Sequence, residues 1–181
     1  MQRSKRVLAF GVLIVVVAGG SLFLSQNASR PTREVQQDNP EIKEIVQKYS
    51  AWKDASESAS ITSHQLIVSD GGKEVVYDLP EREFFVSIAP YKQDTHPCQI
   101  HSLTGCQGEL TNEEFNVRIA DSNGNIVLDE VKMSGSNGFI DLWLPRDQQY
   151  QVIIEQDGKK AESTLSTYKN DNTCITTMQL V

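Results

Sequence analysis

The chain has 181 residues, 39% of them hydrophobic and 23% charged, a composition that fits one globular domain or two small ones and excludes a disordered chain. Its formal net charge is −7. Arg3, Lys5 and Arg6 stand at the extreme N-terminus, and the remainder carries 14 basic against 24 acidic residues, a net of −10, which excludes a body that binds nucleic-acid phosphates.

The three basic residues precede an uninterrupted run of apolar and small residues from Val7 to Leu24, the pattern of an export signal. In one reading Val7–Val17 is the apolar region of a cleaved signal, and Ala18-Gly19-Gly20 supplies small residues for cleavage. In the other, the 18-residue run stays in the membrane as an anchor, near the minimum length that spans a bilayer. Both place the body outside the cytoplasm. No cysteine precedes Cys98, which argues against a lipid-modified N-terminus.

Ser25–Asp38 is polar, contains Pro31 and lacks an apolar period, so residues 25–39 are expected to form a tether. Asn39-Pro40-Glu41 reads as a helix start: Asn caps, Pro suits the first turn and Glu favours the positive end. Ile42, Ile45, Val46 and Tyr49 follow at i, i+3, i+4, i+7, and Trp52 extends that face. Asp54–Ser60 is a weak tail of Ala, Ser and acids. The period then shifts towards two. Gln65–Ser69 and Glu74–Leu79 flank Asp70-Gly71-Gly72 as a hairpin, and Phe84–Ala89, closed by Pro90, is a third strand.

Beyond residue 109 short strands alternate with turns: Phe115–Ile119, Ile126–Met133, Phe139–Leu144, Tyr150–Glu155, Lys160–Tyr168 and Thr176–Val181. Turn signals every ~8–12 residues argue for a sandwich of sheets. The expected fold is therefore α+β. An N-terminal α/β region, residues 40–108, ends in a Cys/His loop, and an antiparallel β-sandwich-like domain follows over 109–181.

The loop is His96-Pro97-Cys98-Gln99-Ile100-His101-Ser102-Leu103-Thr104-Gly105-Cys106. It holds two of the three cysteines and two of the three histidines. Pro97 holds His96 in an extended backbone, and Gly105 lets the chain fold back towards Cys98. Thiolates are soft donors that select Cu(I), zinc or iron–sulfur clusters, and imidazole suits copper and zinc. Three cysteines, Cys98, Cys106 and Cys174, suffice for a trigonal Cu(I) site, whereas zinc needs a fourth ligand from His96 or His101. The spacing is not Cys-x-x-Cys, and no Rossmann, P-loop or HExxH pattern occurs. Plainer readings stand beside this one. In an exported protein Cys98 and Cys106 are natural disulfide partners, and Cys174 an inert buried thiol. For His96 and His101 the plainer and commoner reading is a solvent-facing loop histidine. His64 and Trp143 read as structural, Met178 as core packing, and Glu109, Glu113 and Glu114 as a solvated turn.

The block from His96 to Leu110, with Thr173-Cys174-Ile175-Thr176-Thr177-Met178 near the C-terminus, resembles the CueP family of periplasmic copper-resistance and copper-binding proteins. The resemblance covers most of the exported body. It implies that Cys98, Cys106 and Cys174 converge as Cu(I) ligands and redox thiols, with His96 and His101 at matched positions of less defined role. It further implies copper tolerance, copper supply to a periplasmic copper–zinc superoxide dismutase, thiol-dependent reduction of Cu(II), and dimers. In the reaction expected, two thiolates pass one electron each to two Cu(II) ions and become a disulfide, which an envelope thiol–disulfide reductase must reopen. Cys98–Cys106 and Cys106–Cys174 are equal candidates for the oxidising pair. The rival functions are a thiol–disulfide exchange protein and a sandwich scaffold with a structural disulfide.

Overall fold

The computed structural model describes residues 32–36, 41–51 and 56–181. The expected signal or anchor, the helix-start residues Asn39 and Pro40, and Trp52 lie outside the described residues. No described helix is long and apolar enough to cross a membrane. The one helix among the described residues, α1, covers Ile42–Ala51, with Glu44 in its first turn and Lys48 in its last, each at the end of the helix dipole it complements. Ile42, Val46 and Tyr49 are buried and Ile45 packs beside them, so the periodic face meets the core as expected.

The rest is mostly β. Thr32–Gln36 (β1), Lys73–Asp78 (β4), Gln65–Asp70 (β3), Ser58–Ile61 (β2) and His101–Ser102 (β6) lie side by side in that order as a mixed sheet. Gly71 and Gly72 take φ of 50° and 91° between β3 and β4, as a two-residue hairpin turn demands. Two expectations need correction here. Part of the expected tether is a strand, since β1 pairs in parallel with β4. The end of the weak tail is also a strand, since β2 pairs with β3 and β6. Both are short and poor in large apolar residues, so their backbone pairing leaves little periodic trace.

Lys159–Ser166 (β11), Gln149–Gln156 (β10), Glu114–Asp121 (β7) and Ile126–Met133 (β8) form an antiparallel sheet in that order. A third sheet sets Glu83–Ile88 (β5) between Cys174–Ile175 (β12), parallel to it, and Ile140–Pro145 (β9), antiparallel. The two sheets face each other as a sandwich. Phe84, Val86 and Ile88 of β5 and Ile140, Leu142 and Leu144 of β9 share one core with Phe115, Val117 and Ile119 of β7 and Val152 and Ile154 of β10. Met178 packs in this same core, as expected.

Side chains alternate across a strand, so Phe85 points the other way, into a second core with α1, β2, β3 and Leu103. An almost unbroken apolar run such as Phe84-Phe85-Val86 is what a strand covered on both faces needs. β5 thus belongs to both cores, although it precedes the loop in sequence. The expected last strand, Thr176–Val181, is instead irregular. It holds a single bridge, Tyr91 to Gln179, and the backbone bonds Leu180 N–H to Tyr91 O and Val181 N–H to Lys160 O.

Candidate metal centre

The Cys/His loop contributes Cys98 and Cys106 to a third, smaller cluster with Ala89, Phe139 and Cys174, while its Leu103 packs in the helix-side core. Cys98, His101, Cys106 and Cys174 bring one ligand atom each to within 4.8 Å of one another. Cys98 and Cys174 are joined as a disulfide with Cα atoms 5.5 Å apart. Cys106 is a free, half-buried thiol with its Sγ 3.5 Å from Cys98 Sγ. Cys174 is buried and Cys98 half-buried. Neither pairing considered from the sequence is the one formed. Nearness in sequence favours Cys98–Cys106, but β12 runs beside β5 and carries Cys174 to the loop.

Each element that positions a sulfur is held by backbone bonds. Ser87 N–H donates to Thr173 O at 2.8 Å and Ala89 N–H to Ile175 O at 2.9 Å, fixing β12 on β5. The N–H groups of Thr173 and Cys174 both donate to Gln99 O, at 3.0 and 3.2 Å, so the Cys98 side of the loop is stitched to β12. Thr95 Oγ1 adds a bond to Thr176 O at 2.6 Å. A tight turn then returns the chain, with Cys106 N–H donating to Ser102 O at 2.9 Å. Gly108 follows, and its N–H donates to Asn137 O at 2.7 Å. A Cβ on Gly108 would lie 2.6 Å from Gly138 O, so only glycine permits this approach.

His101 is fully buried. Its N–H donates to Thr173 Oγ1 at 3.0 Å, and Thr173 Oγ1 donates in turn to Ile61 O at 2.6 Å. The ring lies between Phe139 and Phe85, with centroids at 4.4 and 6.3 Å. Both ring nitrogens lack a hydrogen-bond partner. Burial in this apolar setting, and secondarily the charge of His96, lowers its pKa from 6.5 to about 4. His101 is therefore neutral at physiological pH and presents a lone pair that needs no deprotonation before binding a metal.

Of the five soft side chains singled out in the sequence, the fold gathers four. His96 stands apart, half-buried, with its ring 6.4 Å from Phe139 on the periphery of the cluster. His64 is exposed in the turn before β3, with its Nδ1 3.0 Å from Ser63 Oγ. Trp143 is partly buried against the helix-side core. Phe139, Thr173 and Gly108 also build the site; Thr173 and Gly108 fall in the quoted sequence blocks, but the sequence assigns none of the three a role there. Their roles come from contacts across long separations, 72 residues for His101 with Thr173. Glu109, expected in a solvated turn, is exposed, and its carboxylate also accepts hydrogen bonds from the backbone N–H groups of residues 92–94.

Four ligand atoms around one ion with bonds of about 2.3 Å stand about 3.8 Å apart. The 4.8 Å cluster thus needs small shifts, and cleavage of the disulfide, to surround one metal ion. A Cys3His set also fits structural zinc, so the donors alone do not name the metal. No curated protein sequence matches the chain significantly. The crystal structure of S.CueP is similar, at 37% identity over 77% of this chain and 88% of that one, with a TM-score of 0.75. The model of the family described as periplasmic copper-binding protein CueP matches residues 41–179. The chain belongs to the CueP family of periplasmic copper-binding proteins.

Proposed function

We propose that the reduced chain holds one Cu(I) ion with Cys98, Cys106 and Cys174, joined by His101, and that the same thiols reduce Cu(II). The observation that carries this is the convergence of three sulfurs and an unpartnered, neutral imidazole from the 98–106 loop and the distant Cys174. Thiolate donors favour Cu(I) over Cu(II), so a site rich in sulfur drives the reduction.

Cys98 and Cys174 are the pair that oxidises. Their two thiols lose two electrons and two protons and form one S–S bond, while two Cu(II) ions become two Cu(I) ions. Cys106 and His101 remain as donors for one of these. The second must pass to another acceptor, which suits a protein for copper tolerance and delivery. Delivery to a copper–zinc superoxide dismutase, and recycling by an envelope thiol–disulfide reductase, rest on the family resemblance. The half-buried disulfide and the adjacent free thiol favour a redox pair over a purely structural bridge.

Anaerobic addition of Cu(II) to the fully reduced protein tests the electron source. Two Cu(I) ions should form for each disulfide, and peptide mapping should find Cys98 joined to Cys174. Cu(I) formed without loss of thiols would place the electrons elsewhere. Reaction with disulfide substrates at full rate in the absence of copper would favour the exchange-protein reading.

A further inference from the structure

We propose that Glu109 is a positioning residue of the copper site, a carboxylate clasp that closes the Cys/His loop and holds the reduced site in shape. The inference deepens the reading above and rests on it. Glu109 Oε2 accepts hydrogen bonds from three successive backbone N–H groups, those of Lys92 at 2.6 Å, Gln93 at 2.9 Å and Asp94 at 3.3 Å. Consecutive N–H groups converging on one point make a nest for an anion. Here the anion is supplied by the chain itself. The Gln93 N–H above all, with those of Lys92 and Asp94, draws the Glu109 carboxyl below its ordinary range, so the carboxylate persists at neutral pH.

The position of this contact in the chain gives it its meaning. His96, Cys98, His101 and Cys106 all lie between Asp94 and Glu109. The nest therefore ties the segment entering the loop to the segment leaving it. In the oxidised chain the bond to Cys174 also restrains Cys98. That restraint disappears in the reduced state, which is the state that binds copper. The bonds from Thr95, Thr173 and Cys174 then tether the Cys98 side to β12. Of the hydrogen bonds at the site, the Glu109 nest joins the approach to Cys98 with the exit from Cys106. An open loop must be ordered when the metal binds, and that cost subtracts from affinity.

The test is the Cu(I) affinity of the reduced full chain, read by competition with a coloured Cu(I) chelator, for wild type, Glu109→Ala and Glu109→Gln. Thermal midpoints of the oxidised and reduced metal-free proteins are measured alongside. Glu109→Ala should weaken Cu(I) binding about tenfold, because the metal must then order a looser loop. Glu109→Gln, whose amide oxygen still accepts N–H bonds, should recover part of it. The midpoint of the oxidised protein should change little, because the disulfide still restrains Cys98. Wild-type affinity in Glu109→Ala overturns the clasp alone. So does an equal drop of both midpoints with affinity unchanged, which would mark a merely structural contact. A wild type that fails to compete for Cu(I) removes the copper reading, and the clasp with it.

Discussion

His101 is completely buried, yet neither ring nitrogen is hydrogen-bonded. A buried polar group without a partner costs stability, typically about 1–3 kcal/mol. Its place among three sulfurs supplies the reason to keep it. Replacing His101 by Leu should therefore leave the metal-free, oxidised protein at least as stable at pH 7 while weakening Cu(I) binding by the reduced form. A large loss of stability with unchanged affinity would assign the imidazole a packing role only. The pH dependence follows from the same burial. The folded imidazole takes a proton only near pH 4, whereas the unfolded one does so near 6.5. Above pH 6.5 both are neutral and the group is silent. As pH falls from about 6.5 to about 4 the unfolded chain binds the proton first, so stability declines, by on the order of 3 kcal/mol in total. Urea unfolding at pH 7 and pH 4.5 should show this component in wild type and not in His101→Leu.

At the scale of elements, β12 and the loop are joined through Thr173, which accepts from His101 N–H and donates to Ile61 O. Thr173→Val keeps the shape and removes both bonds, leaving a buried donor and a buried acceptor unpaired. A loss of about 1–3 kcal/mol in denaturant unfolding is expected, with weaker Cu(I) binding because β12 carries Cys174. Unchanged stability would mean that water or a shifted backbone replaces the hydroxyl. Elements of this kind were the hardest to read in the sequence. From Phe115 to Leu165 the apolar alternation and the turn residues speak directly, and the strands fall close to where they are expected. β2 is Ser58-Ala59-Ser60-Ile61 and β6 is only two residues long. β2 alternates, with Ala59 and Ile61 buried, but four residues with one large apolar side chain, and the two residues of β6, are too few to mark a period. The nest at Glu109 is hidden because its donors are N–H groups of residues chosen for other purposes.

Across the whole molecule, the sandwich is completed by a strand from before the loop, and β5 touches both cores. Cys98, His101, Cys106 and Cys174 gather beside this shared strand, so the candidate site is set by the fold rather than by the loop alone. Sequence spacing exposed the loop donors but not the partner of Cys98, since the parallel pairing of β12 with β5 is a long-range contact. The disulfide closes a separation of 76 residues, and chain-entropy arguments assign such a crosslink up to about 4 kcal/mol. The oxidised protein should therefore melt above the reduced, metal-free protein, and Cu(I) should restore part of the difference by binding the folded state. Equal midpoints for the two metal-free forms would show that the reduced fold needs no crosslink.

In the function proposed, one distant cysteine, Cys174, joins the loop to make a single copper site. The most direct measurement is a Cu(I) titration of the reduced protein against a coloured chelator, repeated with Cys174→Ser. Tight binding of one copper per chain, greatly weakened in the variant, is expected. Failure of the wild type to compete, or a variant that binds equally well, would contradict it.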